Sequence, residues 1–272
     1  MAHPPANALS PRLIVALSAA LAQAAGAASA APAIDSAAAS AAGRGERPAV
    51  AGPAARGERP AGLVLSGAPG MFSAGLDVPY LLTLDREGIR GLWSAFYALL
   101  RGLAASPLPV VAAITGHSPA GGAVLALYCD LRVMAAGEFR IGLNEVRVGL
   151  PVPPVIVAAM RRLVGPRLAE RMCVSGALVP PQEALQIGLV DEVAPPEQVV
   201  ERAVARAAEL AALPRAAMTE TRRLARADLV ALFAAADAEM ESLLDSWFSA
   251  EAQATMHALV ERLARKSGSR HA

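Results

Sequence analysis

"GHSPAGGAVLALYCD", residues 116–130, joins a glycine- and proline-containing turn to an apolar run. The residues that lead into it, "PLPVVAAITG" (107–116), have the length and punctuation of a buried strand, with β-branched and small apolar residues between prolines and a glycine. Strand, glycine turn and helix are therefore expected in succession. Gly121 and Gly122 open the helix, whose first amides have no acceptor within it. Free amides at the positive end of a helix suit an oxygen that gains negative charge. Turns of this kind often need glycine for steric reasons alone, so the stretch gains weight only from its neighbours.

Upstream, "GLVLSG" (62–67) reads as another short buried strand. It runs into "SGAPGMFSAGLD" (66–77), where Gly67, Gly70 and Gly75 allow a tight turn and close approach to a ligand. The segment lacks the lysine and spacing of a nucleotide phosphate loop. Between the two strands, "REGIRGLWSAFYALLRGLAAS" (86–106) repeats apolar residues at helical intervals. Downstream, "SPAGGAVLALYCDLRVMA" gives helix then strand, "VIVAAMRRLV" and "GPRLAERMCVSG" give helices, and "PPQEALQIGLVDEVAPPEQ" gives helix then short strand. From Val199 the chain reads as helical, with a break at Pro214. Short strands alternating with helices predict a layered α/β core carrying a helical C-terminal part.

"IGLNEVRVGLPVPP" (141–154) places one carboxylate, Glu145, among apolar residues and prolines. An acid in such a setting must reach water, find a partner, or carry a raised pKa.

Composition narrows the function classes. The 272 residues are 54 % hydrophobic and 18 % charged, with a formal net charge of +1, so no electrostatic case exists for nucleic acid or an anionic membrane. No apolar run approaches the roughly 20 residues a spanning helix needs. Cys129 and Cys173 have no metal-site spacing and form no disulfide framework. His3, His257 and His271 also lack ligand spacing, so no metal is expected. "LIVALSAALAQAAGAASAAPA", from Leu13, reads either as a secretory leader or as a buried helix. Ser10-Pro11, a good cap followed by proline at the first helical position, and the lone Arg12 favour the helix. Four regions are expected: an N-terminal helix of the core (1–23), a low-complexity insertion (24–60), a core with the active site (61–195), and a helical C-terminal region (196–272). The insertion contains "RGERPA" twice and almost no large apolar residue, too little to offset the entropy of ordering.

Taken together, "FSAGLD", "PAGG" and "IGLNE", in this order and spacing, resemble the crotonase superfamily of enoyl-CoA hydratases and isomerases. The combination is most similar to mitochondrial-type Δ3,Δ2-enoyl-CoA isomerases. The likeness begins at "PPANALSP" (4–11), resumes at Gly62, and runs to "WFSAEAQATMHALVERLARK". It implies a spiral ββα core, a C-terminal helical region that builds trimers or hexamers, and an acyl-CoA substrate with no other cofactor. It implies a cytoplasmic location in a bacterium and the mitochondrial matrix in a eukaryote. The family's two oxyanion-binding amides fall on Leu76 and Gly121. The pantetheine arm would run beside Ser73, Ala74, Gly75 and Asp77, with Gly122 and Asn144 also near the ligand. Of the two glutamates that hydratases use, one matches Glu145 and the other position holds Val124. The remaining single acid implies an isomerase, with hydration, thioester cleavage or non-catalytic acyl-CoA binding as alternatives. The resemblance also implies a β-strand before "PPANAL", which this sequence does not supply.

Other polar residues are expected to be structural. His117 and Asp77 fit turn-holding roles, and Cys129 fits the core. Trp93, Phe96 and Tyr97 fit the core or the wall of an acyl pocket. Arg161 and Arg162 fit the surface.

Overall fold

The computed structural model describes residues 7–29 and 60–268. Residues 30–59, with the first RGERPA copy and most of the second, lie outside the described residues, as do His3 and His271. Helix α1 (Pro11–Ser29) comes first, and Ser10 Oγ accepts from the Leu13 N–H at its start. It runs six residues past the expected boundary at 23. The extension is "AAGAAS", and alanine has the highest intrinsic helix propensity.

Three units of strand, strand and helix follow. The first holds β1 (Leu63–Ser66), β2 (Gly70–Met71), α2 (Val78–Leu81) and α3 (Arg86–Ala105). The second holds β3 (Val110–Ile114), β4 (Gly116–Pro119) and α4 (Gly121–Leu127). The third holds β5 (Leu131–Ala135), β6 (Ile141–Gly142), a 3-10 turn (Glu145–Val148) and α5 (Pro154–Val164). Then come α6 (Pro166–Ser175), α7 (Pro181–Gln186), β7 (Glu192–Ala194) and α8 (Val199–Ala211). The chain continues through α9 (Arg215–Ala225), α10 (Ala227–Ala231), α11 (Phe233–Trp247) and α12 (Ala250–Gly268).

The first strand of each unit enters a parallel sheet of order β1-β3-β5-β7, and the second enters a small parallel sheet of order β2-β4-β6. Among the described residues no strand precedes α1, and β1 lies at the edge of its sheet. The direct strand-to-helix passage expected at residue 116 is corrected by β4, which pairs Met71 with His117 and Ser118 with Ile141. "GHSP" hides its strand because it is short and carries both glycine and proline.

The large sheet is covered on both faces. Val110, Ala112 and Ile114 of β3 point into the main core, while Val111 and Ala113 meet Val199, Ala203 and Ala207 of α8. That alternation explains why β3 looks continuously apolar in sequence. On the main-core side, α3 packs against α1 and α11.

A buried ionic cluster ties the C-terminal helices to this core. Asp130 accepts from the Val110 N–H at 2.7 Å and from Arg222 Nε at 3.0 Å, and pairs with Arg226 at 2.9 Å. Arg222 also donates to the Leu103 and Ala104 carbonyls, which the end of α3 leaves without helical partners.

Candidate active site

Two glycine turns and one carboxylate converge on a cavity of about 100 Å³. Its wall takes Leu76 from the first turn, Gly121 and Val124 from α4, and Asn144 and Glu145 from the third unit. Trp93 and Phe96 of α3 close one side, as wall residues, and Trp247 and Leu259 of the last two helices close another.

Rigid peptide planes set the direction of the two amides. The Gly75 carbonyl accepts from the Leu9 N–H at 2.8 Å, so the Leu76 N–H, in the same plane, points the opposite way. The Ala120 carbonyl accepts from the Val124 N–H at 2.9 Å, which likewise turns the Gly121 N–H outward from α4. Among the described residues neither amide donates to a protein acceptor. A Cβ built on Gly121 would lie 3.4 Å from the Leu76 nitrogen, so the two donors are neighbours. Gly75 has φ +90°, and a Cβ there would lie 3.0 Å from the Ala120 Cβ and 3.1 Å from the Gly121 nitrogen. Glycine is thus required at 75 both for conformation and for the closeness of the turns. Ala120 itself takes φ 47°, a region unusual for an alanine, where the chain turns from β4 into α4.

Glu145 opens the 3-10 turn. Burial pushes its carboxyl up to about 7, partly offset by its own backbone N–H. Its Oε2 is buried and, among the described residues, has no hydrogen-bond partner; the same holds for Asn144 Oδ1. Among the residues that line the cavity, Glu145 is the one carboxylate, and Val124, 1 % exposed, adds an apolar surface.

The other expected ligand contacts divide. Ala74 and Asn144 line the cavity. Ser73 does not offer its side chain to a ligand: it is fully buried, and its hydroxyl donates to the Asn7 carbonyl and accepts from the Gly75 N–H. Gly122 is also buried, where a Cβ would lie 2.5 Å from the Ser73 oxygen, so it serves the packing of one turn on the other. The Asp77 carboxylate accepts from the Tyr80 N–H and caps α2. The Ser73 and Asp77 side chains and the close packing at Gly122 thus hold the turns together.

The residues expected to be structural are so. His117 Nδ1 accepts from the Arg140 N–H at 3.2 Å, and its ring meets Phe139 edge-on at 5.3 Å. Cys129 is buried, which pushes its thiol up to about 12. Arg161 is exposed, and Arg162 grips both oxygens of Asp228. Sequence reading missed Trp247 and Leu259, because nothing in a C-terminal apolar stripe says which cavity it will cover. It also missed Asn7 and Leu9, whose contacts span more than sixty residues.

The sequence profile described as enoyl-CoA hydratase/isomerase matches residues 54–268. Human enoyl-CoA delta isomerase 1, mitochondrial, is 36 % identical over 208 residues, covering 76 % of this chain and 69 % of that protein. The crystal structure of human mitochondrial delta3-delta2-enoyl-CoA isomerase superposes with a TM-score of 0.82 at 30 % identity, covering 97 % of this chain and 92 % of that one. An enoyl-CoA isomerase from Mtb superposes with a TM-score of 0.72 at 27 % identity, covering 89 % and 92 %. The paired amides, the three repeated ββα units and these matches lead to one assignment: the chain belongs to the enoyl-CoA hydratase/isomerase family and has the crotonase fold.

Proposed function

We propose that this chain is a Δ3,Δ2-enoyl-CoA isomerase, converting 3-enoyl-CoA to trans-2-enoyl-CoA as in fatty-acid β-oxidation. The observation that carries this reading is the solitary carboxylate of the cavity, Glu145, with Val124 as an apolar wall. Ionised Glu145 takes a proton from C2 of the substrate. The resulting dienolate places negative charge on the thioester oxygen, which the Leu76 and Gly121 N–H groups bind. Glu145, now protonated, returns the proton at C4 on the same face. A group that titrates near neutral pH serves well in both steps, as base and then as acid. Among the described residues that line the cavity no second carboxylate stands beside Glu145 to complete the pair that hydration uses. The reaction moves a proton and a double bond with no net change of oxidation state, so CoA is needed only as the handle of the substrate.

Purified protein is expected to convert 3-hexenoyl-CoA to trans-2-hexenoyl-CoA and to add at most traces of water to crotonyl-CoA. Hydration of crotonyl-CoA as the faster reaction would replace this reading with a hydratase. Binding of CoA esters in calorimetry without turnover would replace it with an acyl-CoA-binding protein.

Assembly into a trimer, or a pair of trimers, belongs to the same proposal. Many apolar residues of the C-terminal helices, including Leu229, Leu243, Leu244 and Met256, are buried within this chain. Phe248 and Leu263 are exposed and are available to a neighbouring copy. Light scattering should give three or six times the 27.8 kDa chain mass, and a stable monomer would overturn assembly. The likeness to mitochondrial enzymes supports a mitochondrial matrix location in a eukaryote and a cytoplasmic one in a bacterium. Among the described residues no helix is long and apolar enough to cross a membrane.

A further inference from the structure

We infer that Asn7 and Ser73 are positioning residues for the Leu76 amide, forming a strap that aims it at the substrate's thioester oxygen. This inference rests on the oxyanion role given above to that amide. Asn7 is 2 % exposed and 64 residues from its partner in sequence, yet its side-chain amide donates to the Met71 carbonyl at 2.9 Å. Its backbone has φ 48°, a conformation that asparagine tolerates better than most residues. In that conformation its own carbonyl accepts from Ser73 Oγ at 2.8 Å, and Ser73 Oγ accepts in turn from the Gly75 N–H at 3.2 Å. Two residues further on, the Leu9 N–H holds the Gly75 carbonyl.

Both ends of Gly75 are therefore fixed by the segment before α1. Its N–H is held through Ser73, and its C=O is held by Leu9. Glycine at φ +90° is free to rotate in the absence of such contacts, and the plane that would swing is the one containing the Leu76 N–H. The strap acts on a backbone amide, which side-chain substitutions other than proline leave in place. Its carbonyl contact also polarises the peptide, which strengthens the opposite N–H as a donor.

The test uses Ser73→Ala and Asn7→Gly, the second of which keeps the positive φ accessible while deleting the side-chain donor. Each should lower kcat about tenfold with little change in KM, a loss smaller than the 10²–10³ of deleting an oxyanion donor outright. The double variant should lose no more than about the larger single loss, because both residues act through one chain of contacts. Ile14→Val, a core change in α1, provides a comparison for lowered stability alone. A direct readout is the infrared carbonyl stretch of bound hexanoyl-CoA, a saturated ester that cannot isomerise. The wild type should shift it to lower frequency, and both strap variants should shift it less while remaining folded.

An equal shift in wild type and variants would overturn the strap, as would a kcat loss in Ile14→Val that matches theirs at equal Tm. No shift in any protein would also overturn it, since no amide pair would then be gripping the carbonyl. A wild type that shifts the carbonyl but does not isomerise 3-enoyl-CoA would overturn the isomerase reading. Loss of that shift in Ser73→Ala would still support the strap.

Discussion

Glu145→Gln is expected to lose about a thousandfold in isomerase kcat and to be more stable than the wild type at pH 8. On the isomerase reading, the rate loss follows from removing the one carboxylate among the described residues that line the cavity. Wild-type kcat/KM should rise with pH and level off above about 7, where the carboxyl is ionised in the folded chain. The stability gain has the same origin. Burial raises the folded pKa to about 7 from the ordinary 4.5, so the folded protein holds this proton more tightly than the unfolded chain does. Stability from this group is fully present below about pH 4.5 and is lost as pH climbs through about 7. Ionisation at high pH then costs on the order of 3 kcal/mol. Glutamine, which never ionises, escapes that cost. Thermal melts should therefore separate the two proteins by a few degrees at pH 8 and bring them together near pH 5. Unchanged turnover would remove Glu145 from the mechanism, and equal melts at pH 8 would show that the carboxylate is solvated.

A second large effect is expected far from the cavity. Asp130→Ala should destabilise the fold by about 3–5 kcal/mol, the cost of leaving buried charges without their partner. Arg222 and Arg226 have side chains only 8 % and 14 % exposed, and both rely on this carboxylate. The Val110 N–H would also lose its acceptor beside the start of β3. A fall of roughly 10 °C in Tm would follow for a chain of this size. Asp130→Asn should fall by less, since it keeps an acceptor for the Val110 amide. A Tm within two degrees of wild type for the alanine variant would show that the cluster is hydrated and weak.

The motifs of the candidate site were more legible in the sequence than the contacts that assemble them. Gly75, Gly121 and Glu145 stand in "FSAGLD", "PAGG" and "IGLNE", the motifs that carry the resemblance, and the fold brings Gly121 and Glu145 to one cavity wall with Gly75 packed against Gly121. β3 was legible because burial on both faces made it continuously apolar, "VVAAI". β4 was not, because its pairing with β2 and β6 supplies what its own four residues lack. The resemblance put Ser73 beside the pantetheine arm, and only the fold reveals the Asn7 carbonyl as the acceptor of its hydroxyl. Arg222 sits in "TETRRLARAD", which reads as a solvated face, yet the carbonyls at the end of α3 recruit it. Such long-range satisfaction of polar groups leaves no periodic trace along the chain.

The cavity draws one wall from residue 76, another from 145, and a third from 247 and 259. The 3-10 turn behind Glu145 leans on α12 so closely that a Cβ on Gly149 would lie 2.9 Å from the Ala252 Cα. A chain that stops inside α11 lacks the part of the wall that Trp247 and Leu259 supply. Glu145 would then sit closer to water, and the burial that raises its carboxyl to about 7 would be weakened.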